Sequence, residues 1–375
     1  IIEQVFNAAV SLLAAWGFIN AFSDGTENSI AKWGAAGSTV GTGAGVVTAL
    51  AFMLLVYGVN RRKILHRVEK DHRHQEESYK EIFRVIILVV SPIILSAFVY
   101  NVNAYINGYL FSDILGRRGG DAAQIGILYA EYATYFMTII NIPLTLSSTA
   151  PTSMIPEVSA LYATGDIEAT RECIDQTVQL SMVVSAPCAM GLAVLAQPIV
   201  FLLLILGSFS ILLNGMSNIS NGVLQAIGQQ RIPVITAAIA LVVDIVVVVV
   251  LLFTTNLGVY ALLIAMVIYS VVVCVLNDRA MKKYLQYKNP WKEGYLYPIL
   301  ASVPMGIVAG CICYGLNIFV KSNFICLIVS IPVAAVVYLF AYLIISKPSE
   351  SQLRRIPGGS YLIRIAEKLP FWQNN

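Results

Sequence analysis

Charged residues are scarce in this 375-residue sequence. Only 12% of its residues are Asp, Glu, Lys or Arg, whereas a soluble domain averages about 25%. Hydrophobic residues make up 58%, and many windows reach the roughly 20 apolar residues that a helix needs to cross the hydrocarbon core. The composition excludes a soluble globular protein and predicts an all-α, polytopic transmembrane helical bundle.

Groups for catalysis and metal binding are also scarce. All three histidines lie in one hydrophilic stretch, so a histidine-based triad within the membrane is excluded. The six cysteines form no CxxC pair and have no histidine nearby, which argues against a zinc site and a disulfide framework. HExxH, Walker and glycine-rich strand–turn–helix motifs are missing. We therefore expect a transporter rather than an enzyme, with no metal, cofactor or bound ATP.

The hydrophilic stretch from Asn60 to Lys80 divides the chain. It carries seven of the 24 Lys and Arg residues and has two apolar segments before it and eight after it. Basic loops mark the cytoplasmic side of a membrane, so residues 60–80 are interpreted as a cytoplasmic linker. It would join a front piece, 1–59, to a C-terminal lobe of eight spans, 81–346. Residues 347–375 are predicted to form a cytoplasmic interfacial tail.

Ten spans follow from the hydrophobic runs. The basic residues support this count, because alternating from a cytoplasmic linker leaves only Lys32, Arg117, Arg118 and Lys321 outside. The same alternation places the C-terminus in the cytoplasm. The predicted bounds are about 5–22, 30–59, 82–115, 122–146, 178–200, 203–227, 232–253, 258–275, 296–320 and 324–345.

Two stretches depart from a simple run of spans. Residues 151–175 mix an apolar face with charged residues, and we predict two short amphipathic interfacial helices, broken at Gly165-Asp166. Val178 to Ile227 would extend roughly 75 Å as one helix, so a turn is required near Leu203. The usual turn residues are missing there, and we expect that a loop is absent from the numbering.

Charged residues within or beside the spans are candidates for function, because a charge at a helix centre costs about 2.5–3.5 kcal/mol on insertion scales. Asp244, in the seventh span, and Glu131, in the fourth, either bind a coupling cation or proton or are hydrogen-bonded packing residues. Asp244 could instead sense a substrate headgroup. Arg117 and Arg118 end the third span, where they either meet a diphosphate on exit or lie in a solvated loop.

Two stripes of polar residues each follow one helix face. Such side chains either bind sugar or pyrophosphate oxygens in a wet cavity or join neighbouring helices. Amides that faced lipid would be unsatisfied, so for the stripe in the sixth span we favour a substrate cavity, while the stripe in the third span leaves both readings open. The first stripe is Asn214, Asn218, Asn221 and Gln225 in the sixth span, and the second is Tyr100, Asn103 and Asn107 in the third.

Several short motifs, in this order and spacing, resemble a known family. That family is the stage V sporulation protein B-like polysaccharide biosynthesis proteins. They belong to the multidrug/oligosaccharidyl-lipid/polysaccharide exporter superfamily, which includes the lipid II flippases of MurJ type. The resemblance covers nearly the whole chain. The motifs are IEQ (2–4), PTSMIPEVS (151–159), ATGD (163–166), GLAVLAQPI (191–199), NGVLQAIGQ (221–229), RIPV (231–234) and QLRRIPGG (352–359).

The resemblance implies fourteen spans in two lobes around a central cavity. It also implies translocation of undecaprenyl-linked oligosaccharide or lipid II-type precursors across the bacterial cytoplasmic membrane by alternating access. The ten spans would be the fifth to the fourteenth. The family's cavity arginines lie largely in the first four, which are expected to be missing here, so they transfer to no residue of this chain.

The implied partners are a lipid-linked glycan and membrane lipids. Nucleic acid is not expected, because the positive residues lie in loops between spans. A monomer fits, although the sequence does not determine the oligomeric state, and the coupling ion could be Na⁺ or H⁺. The alternatives are a cation-coupled multidrug or small-molecule exporter of the same superfamily and a membrane glycosyltransferase, for which the outer loops are short.

Overall fold

The chain is a multi-pass, all-α membrane protein. The computed structural model describes residues 2–69, 78–195, 201–320 and 323–348 and the single positions 353 and 363, and every regular element in that part is helical. Eight helical segments are long and apolar enough to cross a membrane, and a shorter apolar helix covers Phe6–Phe22. The predicted fold class is confirmed.

In the described part of the chain, eleven α-helices follow the ten predicted spans in order, because α4 and α5 continue through a π-helical turn as one segment. Of the ten, α1 is the shorter apolar helix and α3 is not among the eight, so its crossing stays a prediction. The helices are α1 (Ile2–Phe22), α2 (Glu27–Glu69), α3 (Tyr79–Arg117), α4 (Ala122–Glu131), α5 (Met137–Ala163), α6 (Ile167–Val194), α7 (Phe201–Ala226), α8 (Arg231–Thr254), α9 (Val259–Leu285), α10 (Tyr297–Val320) and α11 (Asn323–Ser346), with π-helical turns at Tyr132–Phe136 and Trp291–Leu296.

The chain divides into two compact units, Ile1–Ile82 and Phe83–Asn375. In the first, α1 and α2 pack closely because α2 presents glycines to α1. A Cβ at Gly37 would lie 2.5 Å from the carbonyl oxygen of Ala14, and one at Gly41 would overlap Ser11. Small residues four apart let two helices approach in this way.

The predicted linker is partly helical. Helix α2 continues to Glu69, so the first half of the stretch 60–80 extends a helix rather than forming a loop, and residues 70–77 lie outside the described part. The predicted tail, 347–375, also lies outside it except at residues 347, 348, 353 and 363. The boundaries of the two lobes and of the tail remain predictions.

The prediction of two separate short helices in residues 151–175 is wrong. Residues up to Ala163 belong to α5, which contains Pro151 in its interior, and the later residues begin α6. Proline at 151 cannot donate to the carbonyl of Ser147, four residues earlier. The Ser181 hydroxyl on α6 donates to that carbonyl instead, at 2.8 Å, so the helix runs on.

The break between α5 and α6 lies at Gly165-Asp166, as predicted. Gly165 adopts a positive φ of 80°, a conformation that glycine adopts without steric cost. Asp166 then caps α6, since its carboxylate accepts from the backbone N–H of Ala169 at 3.0 Å. Leu203, near which a turn was predicted, lies inside α7, which begins at Phe201, while α6 ends at Val194. Residues 196–200 between the two helices lie outside the described part.

Helix α7 is at the centre of the second unit, where it packs against α5, α6 and α9. Ile219, Val223 and Leu224 of α7 are buried in one apolar cluster with Val178 and Met182 of α6. This packing fixes the rotation of α7 about its axis. Its polar residues are thereby held on a different side, where the candidate site forms.

Candidate functional site

A polar pocket of about 340 Å³ lies beside α7 in the second unit. Helices α3, α5, α7, α8 and α9 each contribute to its wall, and among the described residues that line it none is charged. The lining residues are Asn101, Ser148, Pro151, Thr152, Ile155, Asn214, Ser217, Asn218, Asn221, Gly222, Gln225, Ala237, Tyr269 and Val273.

The whole α7 stripe lines this pocket. Because α7 is continuous from Phe201 to Ala226, residues spaced i, i+4, i+7 and i+11 share one face. Asn214 is 8% exposed, and the other three are half-buried. The structure therefore gathers the four amides at one cavity, and their contact with a substrate remains a prediction.

Behind the pocket wall lies a buried amide that the sequence did not single out. Asn277 on α9 is fully buried and donates to Asn221 Oδ1 at 2.7 Å. The predicted eighth span ended at about residue 275, which placed Asn277 outside the span. Helix α9 in fact continues to Leu285, and that extension carries Asn277 into the helical bundle.

A second polar group surrounds Asp244, which is fully buried on α8. Asn107 Nδ2 on α3 donates to Asp244 Oδ2 at 2.9 Å, and Asn103, one turn earlier, is within hydrogen-bonding reach of the same carboxylate. Asn103 and Asn107 therefore lie beside Asp244 and not among the residues that line the pocket. The described side chains include none for Tyr100.

The Asp244 group is rich in oxygens that lack a donor. Within the described part of the chain, Asp244 Oδ1, Asn103 Oδ1 and Asn107 Oδ1 are all buried without a hydrogen-bond partner. Buried oxygens of this kind are rare and call for an explanation. Carboxylate and amide oxygens are ligands for hard cations, and a carboxylate can also take up a proton. The group thus has the chemistry to hold a cation or a proton.

The other charged candidates are separate from both groups. Glu131 is exposed at the end of α4, beside the π-helical turn. Arg117 is 69% exposed and pairs with Asp113 at 2.9 Å. Arg118 is bound to the end of α8, where its guanidinium donates to the carbonyls of Leu252 and Thr255 at 2.5 and 2.6 Å. Its contacts support a structural role at that helix end.

Comparison with known protein families gives a match over the N-terminal part of the chain. The sequence model of the family described as Lipid II flippase MurJ matches residues 10–212, just over half of the chain. The chain belongs to the lipid II flippase MurJ family. The resemblance drawn from its motifs is confirmed, and membership of a flippase family supports a transporter. No curated protein and no solved structure gave a match to this chain.

The matched part of this MurJ-family protein runs from α1 into α7 and stops two residues before Asn214. The α7 stripe and Asp244 thus lie beyond it, and the case for them is made by the contacts described above. The second group's α3 residues, Asn103 and Asn107, lie within the match.

Proposed function

We propose that this MurJ-family protein moves lipid II or a related undecaprenyl-linked oligosaccharide from the inner to the outer leaflet of the bacterial cytoplasmic membrane. The observation that carries the proposal is the polar pocket along α7, whose described lining residues carry no charge, in a bundle of apolar helices. Polar side chains inside a membrane are expensive and mark substrate pathways. Amides and hydroxyls can replace the water that sugar groups give up on entry.

Movement by alternating access accounts for a polar pocket that must open to each side in turn. In this proposal residues 1–59 end one lobe, 60–80 form the cytoplasmic linker and 81–346 form the other lobe. The ten helical segments correspond to the fifth to fourteenth spans of a two-lobe flippase, and the C-terminus is cytoplasmic. The positive residues of 60–80 support that sidedness.

We infer that the group around Asp244 couples transport to a cation gradient. A buried carboxylate whose described partners are amides retains a net negative charge unless it binds a cation or a proton. Uptake of Na⁺ or H⁺ would neutralise it and change its attraction to Asn103 and Asn107 on α3. Binding at this point could therefore shift α3 relative to α8.

A cation-coupled small-molecule exporter is the second candidate function, and the oxygen-rich group around Asp244 is what favours it. The two functions differ in cargo. An exporter would lower the cellular content of soluble cationic drugs, whereas a flippase would change the exposure of lipid II at the outer face.

Replacement of the cell's own flippase tests the proposal. The full-length protein is produced in cells depleted of their lipid II flippase, and the lipid II accessible at the outer face is measured. We expect exposure and growth to be restored. Failure to restore either, with the protein shown to be folded in the membrane, would contradict lipid II flipping. Accompanying resistance to cationic drugs would favour the exporter.

A further inference from the structure

The buried side chain of Asn277 connects three helices at the back of the pocket. Its Nδ2 donates to Asn221 Oδ1 at 2.7 Å and to Ser220 Oγ at 3.2 Å, both on α7. Its Oδ1 accepts from the Thr236 hydroxyl of α8 at 2.9 Å. All the hydrogen-bonding groups of this amide are directed at named partners.

The hydroxyls of Ser220 and Thr236 support this orientation of the Asn277 amide. The Ser220 hydroxyl donates to carbonyls of its own helix, those of Met216 at 3.1 Å and Ser217 at 3.0 Å, a common use of serine in helices. With its proton engaged in this way, Ser220 Oγ is an acceptor for the Asn277 N–H₂ group. The Thr236 hydroxyl is within reach of the Pro233 carbonyl at 3.1 Å and makes its shorter bond to Asn277 Oδ1, at 2.9 Å. The second N–H of the Asn277 amide then faces Asn221, so the Asn221 atom toward Asn277 must be an acceptor, its Oδ1.

Asn221 is consequently left with its Nδ2 for the pocket that it lines. We propose that Asn277 is a positioning residue that directs the Asn221 N–H₂ group into the pocket, where it binds an acceptor oxygen of the neutral glycan part of the substrate. The inference rests on the proposed flippase function. It identifies Asn277, which lies outside the pocket wall, as the residue that determines whether Asn221 offers a hydrogen-bond donor or an acceptor to the pocket.

The neutral glycan fits this pocket better than the diphosphate does. Asn214 donates one Nδ2 hydrogen to the carbonyl of Ser210 at 2.9 Å, which orients the amide and leaves its Oδ1 and its second N–H for a ligand. The pocket then offers a donor at Asn221 and both a donor and an acceptor at Asn214, which suits sugar hydroxyl and acetamido groups because they both donate and accept. A diphosphate only accepts and carries charge, and none of the lining residues that the structure describes is charged to match it.

Two substitutions should replace the donor that Asn221 presents to the pocket by an acceptor, with little change in the shape of the side chains. In Asn277→Asp the new carboxylate can only accept, so the Asn221 amide turns over and presents its oxygen to the pocket. In Asn221→Asp one carboxylate oxygen still accepts from Asn277 and the other faces the pocket. Asn317→Asp, at an exposed position near the end of α10, is the matched control.

The measurement is equilibrium binding of two probes to the purified full-length protein, lipid II and undecaprenyl diphosphate, which has the same lipid and diphosphate but no glycan. Both pocket variants should bind lipid II about tenfold more weakly, as expected for one hydrogen bond lost and replaced by repulsion. Their affinity for undecaprenyl diphosphate should be unchanged. The Asn317→Asp control should match the wild type with both probes.

Each other outcome overturns the inference. Equal weakening for both probes would indicate a general structural defect, and unchanged lipid II affinity would show that Asn277 does not set the polarity of the pocket. Should Asn277→Asp fail to fold, Asn221→Asp decides alone, because its half-buried side chain keeps the bond to Asn277. A wild-type protein that binds neither probe would overturn the proposed function itself and this inference with it.

Discussion

Asp244 is a buried charged residue in an apolar helical bundle, and its surroundings support a functional role. A buried charge is tolerated when it is paired and hydrogen-bonded, yet the described partners of Asp244 are the amides of Asn103 and Asn107. The sequence located Asp244 because a charge in an apolar run is conspicuous. It could not reveal that Asn107, 137 positions away, is the partner, since that pairing depends on how α3 packs against α8.

The first prediction concerns this carboxylate. Asp244→Asn removes the charge but keeps an oxygen that can accept from Asn107, so the protein should still fold. We expect flipping in vesicles to lose its stimulation by an imposed Na⁺ or proton gradient and to continue at the rate seen without a gradient. Glu131→Gln, at an exposed position, is the control and should respond to the gradient as the wild type does. Undiminished stimulation in Asp244→Asn would contradict a coupling role.

At the scale of elements, α5 shows why local signals misplace helix ends. Proline and a run of charged residues near 151–175 favour an interrupted segment, but the carbonyl freed by Pro151 finds a donor in Ser181. That donor is on another helix and has no sequence signature. Likewise, the predicted eighth span ended at about residue 275, whereas α9 continues for another two to three turns and carries Asn277 with it.

The second prediction tests that replacement donor. Ser181→Ala leaves the Ser147 carbonyl buried without a donor and should destabilise the protein by about 1–3 kcal/mol, measured by thermal unfolding in detergent. In a Pro151→Ala background the helix regains its own N–H at that position, so Ser181→Ala should cost far less. An equal loss of stability in the two backgrounds would show that the Ser181 hydroxyl does not compensate for the N–H that proline lacks.

At the scale of the whole molecule, hydrophobic runs predicted the order and number of helical segments because every span must satisfy its own backbone in lipid. The spacing of polar residues predicted the α7 stripe, since one continuous helix fixes which residues share a face. The residues that join these helices to one another could not be predicted from the sequence. Asn277, Thr236 and Ser181 act through contacts with other helices, and those contacts follow from packing rather than from local pattern.

Lipid II flipping through the α7 pocket is tested most directly by measuring the transport of lipid II by the purified full-length protein in vesicles. We expect the wild type to move lipid II between leaflets. We also expect Asn218→Leu/Gln225→Leu, which removes two amides from the pocket, to slow this at least about tenfold, the effect of losing two hydrogen bonds. Asn317→Leu should keep the wild-type rate. No movement by the folded wild type, or an unimpaired double variant, would contradict a flippase that works through the α7 pocket.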